Sequence, residues 1–157
     1  MDHEFHKRLR LLGLERDALH NKLFGAKFCK KIEDLKDGIE ELNKNQQLAL
    51  MIIGTIKEVM PSEIGTYLAM DRSSLSRMVF SLEKKGFLKR RHDLSDRRKV
   101  LVSLTEKGRK DYEVLNRAVE KRLSEVMEVL NEQDLKDFEE CLGTQVRIMR
   151  KINDAMS

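Results

Sequence analysis

The sequence predicts a mostly α-helical protein that carries one small β-hairpin. Three observations lead there. Apolar residues recur at spacings of three, four and seven along both ends of the chain, the mark of amphipathic helices. Between Met60 and Gly108 the rhythm changes. A short helical pattern, a tight turn and a longer helical pattern closed by Gly86 are followed by two short runs with period-two alternation. Finally, 37% of the 157 residues are charged and 40% are hydrophobic, with no Trp and one Pro. That balance suits slender, well-solvated helices more than a thick globule, and slender helices with one apolar stripe need a partner, often a second copy of the chain.

The first helix is expected from about Phe5 to Leu35. Phe5, Leu9, Leu12, Leu19, Leu23 and Ala26 form one stripe, and Phe24, Phe28, Ile32 and Leu35 a second. A helix with two apolar faces touches two neighbours, as an arm wedged between subunits would. Gly13 and Gly25 each weaken it by about 1 kcal/mol relative to Ala and invite a bend. Asn43 and Gln46 have capping-box spacing, so the next helix starts at Lys44. Leu48, Leu50, Met51, Ile52, Ile53 and Ile56 make that helix apolar nearly all round, as a central core helix would be.

Pro61 sits at the first position of a further helix, where its missing N–H costs nothing. Ile64 and Leu68 face inward there, with Tyr67 beside them. Ala69 and Met70 make the turn, and Asp71 is the N-cap of a helix from Arg72 to Lys85 that buries Leu75, Val79 and Leu82. Gly86 stops it. Phe87 to Arg91 is one strand, His92 to Arg97 a loop, and Lys99 to Leu104 a second strand with Val100, Val102 and Leu104 alternating inward. After Thr105 a long helix runs from Lys107 to Leu130, with Tyr112, Leu115, Val119, Leu123, Val126 and Leu130 on one stripe. Asn131 caps the last helix, and Asp134 holds the favoured third position. There Leu135, Phe138, Leu142, Val146, Met149 and Ile152 repeat at three and four, close to a coiled-coil seam.

The net charge of +4 says little alone; its distribution says more. Lys84, Lys85, Lys89, Arg90, Arg91, Arg97, Arg98 and Lys99 stand against only Asp93 and Asp96 in the same stretch. The helix before the hairpin presents Arg72, Ser73, Ser74, Ser76 and Arg77 at its start. Arginine can pair bidentately with guanine, and small hydroxyl residues allow close approach to base edges and phosphates. Basic residues on a hairpin (Arg90, Arg91, Arg97, Arg98 and Lys99) suit the focused negative potential of a narrow minor groove. Asp96, two residues before Arg98, is placed to hold that guanidinium extended. Helix, turn, helix and basic hairpin, in that order, make a winged helix-turn-helix, a module that reads duplex DNA.

Other classes fit less well. An enzyme needs a polarised nucleophile, an acid/base pair or a metal. The 4 His are scattered as His3, His6, His20 and His92, and no Gly-rich phosphate loop occurs. His3, Glu4 and His6 lie close together, yet no His in the later helices completes a tetrahedral zinc site. No metal or cofactor is therefore expected. A winged helix used as a protein–protein scaffold is the alternative, but it predicts an apolar or acidic recognition face. RNA is disfavoured because its major groove is too narrow for this helix. The N-terminus lacks the apolar core of a signal peptide, and no run of about 18 apolar residues would span a membrane. Cys29 and Cys141 lie too far apart in sequence for a disulfide scaffold, which points to a reducing, cytoplasmic location.

The stretch DRSSLSRMVFSLEKKGFLKRRHDLSDRRKVLVSLTEKG resembles the multiple-antibiotic-resistance regulator (MarR) family of bacterial and archaeal transcription factors. The resemblance is carried by Asp96-x-Arg98-x-x-x-Val102-x-Leu104-Thr105 followed by Gly108. Leu82-Glu83-x-Lys85-Gly86, and Leu42-Asn43 with Gln46, also fit. Leu94 departs from the family, standing where a proline is common in the wing loop. The resemblance implies an obligate, triangular homodimer that binds a pseudo-palindromic operator and acts as a sequence-specific transcriptional regulator, most commonly a ligand-responsive repressor. Residues 41–105 would form the DNA-binding domain, and residues 1–40 and 106–157 the dimerisation region. Leu9, Leu12, Leu135, Phe138, Leu142, Val146 and Met149 are its candidate interface. The Arg72–Lys85 helix would enter the major groove and Arg98, oriented by Asp96, the minor groove. Family members often sense small phenolic or lipophilic effectors, and some use a cysteine on the N-terminal helix as a peroxide switch. Cys29 is the candidate for that role.

Overall fold

A computed structural model of the chain describes residues 3–25, 30 and 42–156. Helix α1 spans His3–Phe24, α2 Lys44–Ile56, α3 Pro61–Leu68, α4 Arg72–Lys84, α5 Glu106–Met127 and α6 Glu132–Met156. Strands β1 (Glu58–Val59), β2 (Leu88–His92) and β3 (Val100–Leu104) form an antiparallel sheet in the order β1-β3-β2. The described residues group into two units that divide between Glu120 and Lys121.

Local chemistry sets the helix starts. The Asn43 side chain accepts the Gln46 N–H at 3.0 Å, and Gln46 Oε1 accepts the Asn43 N–H at 3.2 Å, closing the expected capping box. The buried Gln46 then reaches across to α4, where its Nε2 donates to Ser81 Oγ at 3.2 Å. Pro61 opens α3, and Glu63 accepts the Met60 N–H at 2.7 Å. Ala69 ends α3 in the left-handed region, φ 49°. Asn131 caps α6 by accepting the Gln133 and Asp134 N–H groups at 2.8 and 2.9 Å.

The core collects one face of each element in the first unit. Ala49, Leu50 and Ile53 of α2 meet Ile64 of α3 and Leu75, Met78, Val79 and Leu82 of α4. Phe87, Leu88, Val102 and Leu104 bring in the hairpin, and Leu115 brings in α5. In the sheet, Leu88 faces Leu104, Arg90 faces Val102 and His92 faces Val100.

The structure corrects several expectations. Helix α2 is not buried all round: Leu48 and Ile56 are exposed, because its neighbours cover only the Ala49–Leu50–Ile53 face. Tyr67 is exposed rather than inward-facing. The buried side of α3 centres on Ile64 and Gly65, and Tyr67 stands well round the helix from Gly65 at about 100° per residue. Strand β1 has no counterpart among the expected elements; it pairs Glu58 with Ser103 and Val59 with Val102. The hairpin strands are displaced by a residue from the expected bounds, β2 running from Leu88 to His92 and β3 starting at Val100. Helix α4 ends at Lys84, with Lys85 as its C-cap, and α5 ends at Met127. Gly13 does not interrupt α1, which runs on to Phe24. The expected continuation to Leu35, with Ala26, Phe28, Ile32 and Leu35, lies outside the described residues.

The terminal helices share one property. Neither α1 nor α6 contains a buried residue. Along α1, Phe5, Leu9, Leu12, Leu19 and Leu23 are 41–64% exposed; along α6, Leu135, Phe138, Leu142, Val146, Met149 and Ile152 are 41–54% exposed. Within one chain, the described residues do not cover these stripes.

Gly108, in the first turn of α5, packs against the backbone of Phe87. A Cβ there would sit 2.2 Å from the Phe87 carbonyl oxygen. Gly108→Ala should therefore force α5 and the wing root apart and lower stability by about 1–3 kcal/mol. For a chain of this size each kcal/mol shifts Tm by roughly 2–4 °C, readable by calorimetry; an unchanged Tm would refute the close packing.

Candidate nucleic-acid interface

Helix α4 is built to present one face and bury the other. Leu75, Met78, Val79 and Leu82 lock its inner side. At its N-terminus the Asp71 carboxylate accepts the Ser73 and Ser74 N–H groups, both at 2.9 Å. The Ser74 N–H, the Ser74 hydroxyl and then the Ser73 N–H hold this carboxyl below its usual range. Arg72, Ser73, Ser76 and Arg77 are exposed. Ser74 is half-buried and turned inward on the cap, where Arg77 Nη2 donates to its Oγ at 3.3 Å. Of the five α4 residues that the sequence marks, four thus share the open surface and Ser74 supports it.

The wing divides its basic residues between root and tip. At the root Arg91 makes a two-pronged pair with Glu58, Nε to Oε1 at 2.7 Å and Nη2 to Oε2 at 2.5 Å. Their mutual hydrogen bonding lowers the Glu58 pKa and raises that of Arg91. Arg90 Nε lies 2.8 Å from Glu83 Oε2, linking β2 to the end of α4. Sequence reasoning misses Glu58 and Glu83 as partners, since nothing in their local sequence points to residues on a strand further along the chain.

Asp93 organises the tip. Its Oδ1 accepts the Ser95 hydroxyl, the Ser95 N–H at 2.8 Å and the Asp96 N–H at 3.0 Å. The Ser95 hydroxyl, followed by these backbone donors, holds the Asp93 carboxyl down at about 2. His92 Nδ1 lies 2.8 Å from the Arg97 carbonyl oxygen, and the Lys99 N–H donates to the Asp96 carbonyl at 2.9 Å. Asp96 Oδ1 then accepts both the N–H and the Nε of Arg98, at 3.1 and 3.3 Å. Asp96 keeps 30% of its side chain exposed and Arg98 92%. Because the Nε holds the carboxylate, both terminal amino groups of Arg98 are left to solvent. Arg97 and Lys99 flank it, exposed.

The surface therefore offers a rigid Arg/Ser helix face and, on the same scaffold, a projecting guanidinium braced by a carboxylate. A cleft of about 580 Å³ lies beside α4, lined by Pro61, Thr66, Met70, Arg72, Ser76 and Arg90. Among the described residues no group of His, Cys, Asp and Glu could hold a metal ion, and no helix is long and apolar enough to cross a membrane. Cys141 is a free, exposed thiol on α6, while Cys29 lies outside the described residues.

Residues 42–100 match the family model described as MarR family. YwoH of Bacillus subtilis (strain 168), described as an uncharacterised HTH-type transcriptional regulator, is 30% identical over 97 residues, which span 62% of this chain and 70% of YwoH. The chain belongs to the MarR family. Solved structures share the fold. That of Streptococcus pneumoniae FabT in complex with DNA superposes with a TM-score of 0.64 at 18% identity, covering 92% of this chain and 99% of FabT. NadR in complex with 4-hydroxyphenylacetate gives a TM-score of 0.66 at 22% identity, covering 87% and 90%. Within this MarR-family fold, α3 and α4 are the helix-turn-helix and β2 and β3 the wing.

The Asp93 turn predicts a pH dependence. An unconstrained aspartate titrates near about 3.9, whereas here the folded value is about 2. A depressed carboxylate contributes stability that is fully present above the unfolded value and is lost as pH falls through the folded one. The wing tip should thus hold its shape down to about pH 4 and lose the turn as pH drops toward about 2. The carboxyl carbon shift of Asp93, followed by NMR, should show its midpoint near the folded value of about 2; a midpoint at the ordinary aspartate value would mean that the turn does not form.

Proposed function

We propose that this MarR-family protein is a sequence-specific, double-stranded DNA-binding transcriptional regulator that acts as a homodimer on a pseudo-palindromic operator. The observation that carries the reading is the pairing of the exposed Arg72–Ser73–Ser76–Arg77 face of α4 with the Arg98 guanidinium held out by Asp96. An α-helix fits the major groove, where arginine and hydroxyl side chains read base edges. An extended arginine suits a narrow minor groove. An exposed basic face argues against the protein–protein scaffold, which wants apolar or acidic contact.

The uncovered stripes on α1 and α6 support the dimer, with Leu9, Leu12, Leu135, Phe138, Leu142, Val146 and Met149 as its contacts. Residues 41–105 then form the DNA-binding domain and the flanking helices the dimerisation region. The cleft beside α4, with apolar walls and two arginines, offers room for a small lipophilic or phenolic effector whose binding would compete with DNA. The regulator works in the cytoplasm as a ligand-responsive repressor and needs no metal or catalytic group.

Selection of duplexes from a random library, followed by fluorescence anisotropy, tests the reading. Arg72→Ala or Arg77→Ala should cost about 1–3 kcal/mol of discrimination between the selected palindrome and random duplex. Arg98→Ala should weaken binding at flanking A·T steps and flatten the salt dependence, by a slope of about 1 for each phosphate that the side chain neutralises. Equal affinity for palindromic and random duplexes would end the proposal.

A further inference from the structure

Phe80 is a large apolar side chain set among the arginines and serines of α4. It is 61% exposed, in the middle of a helix whose other apolar residues Leu75, Met78, Val79 and Leu82 are buried. It follows Ser73 by seven residues, Ser76 by four and Arg77 by three, so it stands on the same face as all three. At about 1.5 Å per residue it lies roughly 6 Å along the axis from Ser76 and 10 Å from Ser73. Its backbone is held firmly: Val79 and Leu82 are fully buried on the opposite side, and the adjacent Ser81 accepts the hydrogen bond from Gln46. The backbone that carries the ring is thus anchored on a surface otherwise made of arginine and serine.

We infer that Phe80 reads a thymine 5-methyl group in the major groove, and so sets specificity at one base pair of each half-site. This rests on the DNA-binding reading above. The major-groove edge of thymine carries the one apolar substituent among the four base pairs, and an aromatic side chain is a suitable partner for it. Neither phosphate nor the polar base edges would gain from an exposed phenyl ring. The axial offset places the contact about two or three base pairs from the one read by the start of α4, at about 3.4 Å per step. Arginine and serine supply hydrogen bonds that any correctly placed acceptor can satisfy; Phe80 adds a requirement that only a methyl group meets. Cytosine methylated at C5 presents the same group and would be accepted in its place.

The test uses the full-length protein and the duplex it selects from a random library. Each thymine is replaced in turn by deoxyuridine, which removes the methyl group and keeps base pairing intact. Wild-type affinity should fall about fourfold at one symmetric position per half-site, and roughly 15-fold with both replaced, as expected for the burial of one methyl group each. Phe80→Ala should bind thymine and uracil duplexes alike, and Phe80→Leu should keep the preference. Since the ring is exposed, Phe80→Ala should leave Tm and the sedimentation coefficient unchanged. Three results would each overturn the inference: wild-type protein that binds the selected duplex and ignores every uracil, Phe80→Ala that keeps the preference, or Phe80→Ala that alters the oligomeric state. Failure of the wild-type protein to enrich any duplex would instead refute the DNA-binding reading itself.

Discussion

The structure depends on one knot of backbone where α4, the wing and α5 meet. Gly86 turns the chain with φ at 79°, a conformation that a side chain would strain. Phe87 then drops into the core, almost fully buried, and its N–H returns to the Leu82 carbonyl at 2.9 Å. Its own carbonyl accepts the Thr105 N–H at 3.0 Å. The Thr105 hydroxyl donates to the Gly86 carbonyl at 2.6 Å and accepts the Gly108 N–H at 3.1 Å. Lys107 closes the far side, its ammonium 4.2 Å from the centre of the Phe87 ring and donating to the Lys85 carbonyl at 3.2 Å. This junction joins α4 to the wing, and it fixes the angle between them. At position 108 added bulk would meet the Phe87 carbonyl, and at position 86 a side chain would strain the positive φ, so either change disturbs the junction itself.

The electrostatics of the wing follow the same logic of placement. Exposed ion pairs between mobile side chains stabilise little. Those at the root do something else: Glu58 and Glu83 neutralise Arg91 and Arg90 where the hairpin leaves the body. At the tip the carboxylates act differently. Asp93 spends its lone pairs on backbone and hydroxyl donors, and Asp96 engages Arg98 through its Nε. Arg97, Arg98 and Lys99 are exposed at the end of the hairpin, while the carboxylates of Asp93 and Asp96 shape the turn that carries them. An aspartate beside a phosphate-seeking arginine looks unfavourable from charge alone. It makes sense once the carboxylate is seen to set the direction of the guanidinium, so that less side-chain freedom would be lost if Arg98 bound DNA as proposed.

What is legible in sequence is what is decided within a turn or two of chain. Asn43 with Gln46, Pro61, Asp71, Gly86 and Asn131 each act on backbone groups a few residues away, and each stands where its spacing predicts. The alternation of Val100, Val102 and Leu104 likewise follows from strand geometry. What is not legible depends on residues distant in sequence. Strand β1 is two residues long, too short to show alternation, and exists because β3 offers it an edge. The Glu58–Arg91 pair joins that edge to β2 across the sheet. Tyr67 satisfies the helical spacing of an inward residue, yet α3 meets its neighbours on the Ile64–Gly65 side. Phe80 is hidden for a related reason: an apolar residue on an amphipathic helix is expected inside, and only the packed structure shows that it is outside.

The terminal helices give the interface its reach. A helix of the length of α4 covers a few base pairs, and a few contacts of that kind bind weakly once the entropy of association is included. Joining two copies makes the second contact intramolecular, so the free energies of both half-sites combine while the cost of association is met once. The apolar stripes along α1 and α6 are too extensive to leave in water, and Leu135, Phe138, Leu142, Val146, Met149 and Ile152 repeat with the spacing of a helix seam. Burying them against a second chain, as proposed, would stabilise the protein and, by the same act, fix the distance between its two copies of α4. Stability and specificity would then be coupled, since whatever shifts the packing of paired terminal helices also shifts the spacing between the two copies of α4.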